Sequence, residues 1–174
     1  MNHDVAKKVF ERIRNQPYLV TTEQGEVAPN CFFKGCQLIH ELSILGYGVR
    51  GRTAEMDWTR TPLPLEILDL IPDDILQLHF FPEVLIENEW RMLDPSIDPA
   101  TARIGFHMNE FDKRKQECFK LTKVYELEEQ IVVFNRISQP SYQKHYFERT
   151  RPFLLAVNAW LVRERRGHKA FIDL

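Results

Sequence analysis

The 174-residue chain reads as a single α+β domain, spanning 1–174, in which a helix that opens at Cys31 packs on an antiparallel β-sheet. Three observations lead there. Asn30 is a good N-cap for a run from Cys31 to Leu45, with Gly46 at the expected stop. Leu76 to Ile86 and Glu89 to Leu93 read as two strands joined at Glu87-Asn88. The composition, 44% hydrophobic and 28% charged, is ordinary for a chain with one core.

In chain order, Val5, Val9, Phe10 and Ile13 recur at helical spacing, so Met1 to Arg14 is expected to be an amphipathic helix. Its charges leave no apolar stretch of the kind a signal peptide needs. Asn15 to Tyr18 and Thr22 to Pro29 are rich in turn formers and are expected to be loop. After the Cys31 helix, Val49 to Trp58 has the partly alternating character of a strand, broken by Thr61-Pro-Leu-Pro64, and Leu65 to Asp73 holds a short helical turn. Ala100 to Cys118 is irregular and polar. Phe119 to Leu127 and Gln130 to Ile137 are expected to be strands, the second the stronger. Pro152 is placed to start a last helix, running to Arg166 and closed by Gly167.

The hairpin carries a prediction about side chains. If Glu87-Asn88 is a two-residue loop, Ile86 pairs with Glu89 and Phe81 falls opposite Asp94. Alternation then sets His79, Phe81 and Asp94 on one face, with Asp94 diagonal to His79 at roughly 7–8 Å between α-carbons. A slip of one residue would separate them.

The chemistry of these residues is complementary. A thiol on the first turn of a helix meets unpaired amides and the positive end of the dipole, which favour thiolate. An imidazole activates such a thiol when its second nitrogen is held by an acceptor, and Asp94 can serve as that acceptor. Each residue alone has a plainer reading: a buried small thiol, a satisfied strand histidine, an ordinary Asp-Pro strand exit. Their conjunction makes Cys31, His79 and Asp94 the candidate catalytic set. The Cys31 N–H is one candidate oxyanion donor, and Gln24 and Tyr18 are candidates for the second. Phe81 and Trp90 are cleft candidates, Trp90 more simply an anchor under the hairpin.

Other functions have weaker support. Net charge is −2, so no global field recruits nucleic acid or acidic lipid. No apolar run reaches the roughly 20 residues of a membrane span. Cys31, Cys36 and Cys118 form no disulfide framework and fit a reducing cytoplasm. Cys36 and His40 share a helical face, but Cys31 lies around the cylinder from both, so zinc is disfavoured and no metal or cofactor is expected. His107, Asn109, Glu110 and Asp112 read as loop. The basic end, Arg149, Arg151, Arg163, Arg165, Arg166, His168 and Lys169, reads as a solvated helix face rather than a nucleic-acid or membrane contact.

Two blocks within about 30–98 resemble the transglutaminase-like superfamily of the papain-like cysteine fold, in its small bacterial-type form. Cys31 is followed by Lys34 and then by Leu45-Gly46-Tyr47-Gly48-Val49-Arg50. His79, Phe81, Glu83, Val84, Trp90, Asp94, Pro95 and Ser96 follow in the family's order and spacing. Pro29 stands where glycine is frequent, Phe81 where tryptophan is, and Pro82 cannot donate to a sheet ladder. The resemblance implies a papain-like core, with Cys31 as nucleophile, His79 as base and Asp94 as its orienter. It implies acyl transfer through a thioester on a protein or peptide amide, with hydrolysis favoured over amine-accepting transglutamination. A non-catalytic protein- or peptide-binding module on the same scaffold is the contrasting expectation.

Overall fold

The computed structural model describes residues 2–113 and 117–169, with the side chains of His168 and Lys169 excepted. It is α+β. Helix α1 spans His3–Arg14, α2 Cys31–Ile44, and strand β1 Val49–Met56. A 3₁₀ turn at Trp58–Arg60 and the short α3, Leu65–Leu68, lead to β2, Leu78–Ile86, and β3, Glu89–Met92. Helix α4 (Pro99–Arg103), β4 (Leu121–Val124), α5 (Leu127–Ile137) and α6 (Pro140–Lys169) complete the order. The four strands form one antiparallel sheet in the order β3-β2-β1-β4.

Local chemistry explains the central elements. Asn2 caps α1 by accepting from the Val5 N–H. Ala6, Phe10 and Ile13 form its buried stripe, while Val5 stays exposed. Helix α2 buries Lys34, Gly35, Leu38 and Leu42. It ends in a Schellman motif: Gly46 takes φ +83°, its N–H reaches the Ser43 carbonyl, and the Tyr47 N–H reaches Leu42. The β2–β3 turn has Glu87 and Asn88 both at positive φ, 52° and 63°, the two-residue geometry whose twist suits a hairpin. Ile86 pairs with Glu89, as parity requires.

Two hydrophobic clusters make the core. One joins α1 and α2 to Val84, Ile86 and Leu93. The other gathers Tyr18, Trp58, Ile97 and Phe119 under the Phe153–Leu161 part of α6. Leu93 belongs to the first and Ile97 to the second, so Asp94 to Ser96 crosses between them.

Several expectations are corrected. Gln130 to Ile137 is helix, not strand. A capping box, Glu126 with Glu129, starts α5, and the β-branched Ile131 and Val132 point outward at 62% and 69% exposure. The buried residue of α5 is Gln130, whose amide accepts from the Thr53 N–H and donates to the Gly51 carbonyl. It completes the edge of β1 where β4 ends. Of Phe119 to Leu127, only Leu121–Val124 is strand. Helix α4, capped by Asp98 and begun by Pro99, runs into the Ala100 to Cys118 stretch read as irregular. Helix α6 starts at Pro140, so Pro152 lies inside it and Gly167 does not close it.

The β2 side of α2 depends on missing β-carbons. A Cβ at Gly51 would stand 2.5 Å from the Phe80 ring, and one at Gly35 2.8 Å from the same ring. Gly51→Ala is therefore expected to lower unfolding free energy by about 1–3 kcal/mol in urea titrations. Adding Phe80→Leu should recover part of that loss, since the clash is with this ring.

Candidate functional site

Cys31 is the first residue of α2 and is partly exposed. The Asn30 side chain accepts from the Phe33 N–H at 2.8 Å, and the Asn30 carbonyl accepts from the Lys34 N–H at 3.1 Å. Asn30 is itself anchored by donating to Thr21 Oγ1 at 2.7 Å. The N–H groups of Cys31 and Phe32 have no partner among the described residues. They are the orphan donors of a helix start, available beside the sulfur.

His79 sits in β2 opposite Ala54, and is 1% exposed. Its Nε2 donates to Asp94 Oδ2 at 2.7 Å, and Asp94 is also 1% exposed. The direction of donation follows from Asp94 being the ionised, acceptor-only partner. The ring stacks on Phe81 at 6.0 Å between centroids and meets Phe119 at 4.7 Å. Nδ1, the other nitrogen, is buried and has no hydrogen-bond partner among the described residues. Burial disfavours the imidazolium, but the Asp94 charge and hydrogen bond outweigh it. With Cys31 near enough to stabilise the protonated form too, they raise the His79 pKa to about 10. Burial likewise opposes the Asp94 charge, and His79 and Ser96 together hold its pKa below the usual carboxylate value.

The Asp94 turn is braced from below. Ser96 donates to Asp94 Oδ1 through its N–H at 3.0 Å and its hydroxyl at 2.5 Å. Lys34, fully buried, donates to the Ser96 carbonyl at 2.9 Å and the Arg14 carbonyl at 3.0 Å, tying α2 and the end of α1 to the turn. Burial lowers the Lys34 pKa to about 8 against the raising effect of Asp98 and Asp94. Asp98 accepts from the Tyr18 N–H at 2.8 Å and from Arg165 at 3.1 Å. Arg165, read as solvated, is instead a half-buried strap between α6 and the Tyr18 segment.

The remaining candidates divide. Tyr18 is buried, and its hydroxyl has no hydrogen-bond partner among the described residues. Burial raises its pKa well above normal, and the nearby Cys31 adds to the rise. Phe81 supports the His79 ring from beneath rather than lining the cleft. Gln24 is exposed and takes no part in the pocket. Trp90 is neither anchor nor cleft wall: it is 42% exposed, with the Arg50 guanidinium over its ring at 4.1 Å. Arg50 and Arg52 share Glu83, so the paired charges tie β1 to β2.

Cys31 opens into a cavity of about 250 Å3 walled by Tyr18, Met56, Trp58, Leu78, Tyr146 and Leu154. Tyr146 went unrecognised because the first half of α6 was not read as helix; Pro140, at a helix start, was the available signal. A larger cavity, about 690 Å3, lies by Arg60, Phe106 and Lys120, and Cys31 and His79 do not line it. Among the described residues no group of three or more His, Cys, Asp or Glu is placed to hold a metal ion, and no helix is long and apolar enough to cross a membrane. Comparisons with protein-family models, curated proteins and solved structures find no match to this chain.

The charged pair predicts a pH dependence of stability. The raised His79 pKa contributes stability in full below 6.5, and that contribution is lost as pH rises towards about 10. The lowered Asp94 pKa contributes above 3.8 and is lost as pH falls below it. The gap in unfolding free energy between wild type and His79→Gln should therefore be widest from about pH 4 to 6.5 and shrink steadily above that range. Urea titrations across pH 3–10 check it; a gap that does not vary with pH would mean the pair is not ionised.

Proposed function

We propose that the chain is a cysteine-dependent acyl-transfer enzyme of transglutaminase-like type, acting on a protein or peptide amide and passing the acyl group to water. One observation carries the reading: a buried imidazole, pinned through Nε2 by Asp94, keeps Nδ1 unspent while interacting with a cysteine at a helix start. A buried ring nitrogen without a partner is costly unless something else uses it.

In this mechanism Cys31 and His79 act as a thiolate–imidazolium pair. The sulfur attacks the amide carbon while the Cys31 N–H and the Tyr18 hydroxyl face the developing oxyanion. As the C–N bond breaks, His79 gives its proton to the leaving amine, and a thioester remains on Cys31. Water then attacks the thioester carbon and gives His79 a proton. The carboxylic acid leaves, and the thiolate–imidazolium pair is restored. Asp94 orients the ring and balances its charge throughout. Transfer to an amine would use the same steps with a different acceptor.

Iodoacetamide labelling read by peptide mass spectrometry tests the pair. At about pH 6, below the ordinary thiol range, Cys31 should label well ahead of Cys36 and Cys118, and His79→Ala should remove the advantage. Equal labelling of all three cysteines, or indifference to His79→Ala, would sink the catalytic reading and leave a binding module. Tyr18→Phe separates the oxyanion role from the nucleophile. It should reduce turnover of an amide substrate by roughly 10²–10³-fold while leaving Cys31 labelling unchanged.

A further inference from the structure

The Cys31 cavity does not end at the sulfur. A second cavity of about 180 Å3 shares Leu78, Tyr146 and Phe147 with it and continues to Leu76, Ile137 and Tyr142, at the corner where α5 turns into α6. The two cavities are neighbours, with Leu78, Tyr146 and Phe147 in the lining of both. No Asp, Glu, Lys, Arg or His side chain lines either part. The three side-chain amides that line them are engaged locally: Asn30 donates to Thr21 Oγ1 and accepts from the Phe33 N–H, Gln77 Nε2 donates to the Ile75 carbonyl at 3.2 Å, and Gln143 Nε2 to the Ile137 carbonyl at 2.9 Å.

From this we infer that the two cavities act together as one trough, the specificity pocket for the acyl donor, and that it takes an aromatic or branched aliphatic side chain next to the reacting carbonyl. The inference rests on Cys31 being the nucleophile. A carboxylate or ammonium side chain would lose its hydration there without gaining a charged partner among the lining residues. A glutamine side chain would find its hydrogen bonds only partly met. An apolar side chain loses little and covers the exposed edges of Leu78, Tyr146 and Phe147. Its outer wall, Ile137 and Tyr142, is then a specificity determinant, and it comes from elements far in sequence from the three reactive residues.

The test uses the full chain and dipeptidyl chloromethyl ketones that differ only in the side chain beside the ketone: Phe, Leu, Gln, Asp or Lys. Each alkylates the cysteine it is bound near, forming a sulfur–carbon bond as chloride leaves, so mass spectrometry of Cys31 gives the rates without an unknown substrate. The Phe and Leu probes should label Cys31 roughly 10- to 100-fold faster than the Asp and Lys probes, with Gln between. Ile137→Arg places a cation on the partly exposed outer wall and should raise the Asp probe relative to Phe by about tenfold or more, with iodoacetamide labelling unchanged. Rates independent of the side chain, a fastest charged or Gln probe, or iodoacetamide labelling with no ketone labelling would overturn the pocket assignment while leaving Cys31 a nucleophile. Cys31 labelled no faster by iodoacetamide than Cys36 would remove the nucleophile itself, and the pocket assignment with it.

Discussion

The site depends on the contact between His79 Nε2 and Asp94 Oδ2, made where both side chains are almost wholly out of water. Neither group is stable there alone. An unpaired buried carboxylate or imidazolium costs several kcal/mol, so the pair persists only if its geometry is held. The fold supplies that hold in steps: Ser96 completes the Asp94 carboxylate, Lys34 holds Ser96, and Arg14 completes Lys34. Along this chain each link is held by the next, and His79 Nδ1 alone of the ring's two nitrogens is left without a hydrogen-bond partner among the described residues.

This chain of bonds explains the architecture around the turn. Lys34 is buried, and among the described residues no carboxylate is bonded to its ammonium; two backbone carbonyls hold it instead. That choice costs stability at neutral pH, since burial lowers its pKa to about 8. What it secures is position. The end of α1, the first turns of α2 and the Asp94–Ser96 turn meet at one ammonium, so the cysteine helix and the His79–Asp94 pair cannot shift independently. Asp98 does the same on the other side, joining α4, the Tyr18 segment and Arg165 of α6.

Much of this was legible in advance, and the legible parts share a cause. The Asn30 cap, the Gly46 stop, the hairpin and the parity that sets Asp94 opposite Phe81 rest on backbone hydrogen bonding within a few residues. The Leu93 N–H to Pro82 carbonyl bond, 3.0 Å, carries that register one step beyond β3. The misread elements fail for the opposite reason. Ile131 to Phe134 has strand-like composition, yet the Glu126–Glu129 capping box and the use of Gln130 at the β1 edge decide for helix. Trp90 reads as a core residue from its size, but the Arg50 cation over its face makes an exposed position favourable.

By itself, then, the sequence determined an α+β chain, the helix that opens at Cys31, the β2–β3 hairpin and the face shared by His79 and Asp94. All of these follow from short-range periodicity and capping. Only the tertiary structure decided what surrounds the sulfur. Tyr18 and Tyr146 lie 13 residues before Cys31 and 115 after it, and no local pattern relates them. They meet because α6 must bury Phe153, Val157 and Leu161 against Trp58 and Phe119, and Arg165 must reach Asp98. The walls of the pocket are a consequence of where the largest apolar faces close on one another, a long-range outcome that residue spacing does not encode.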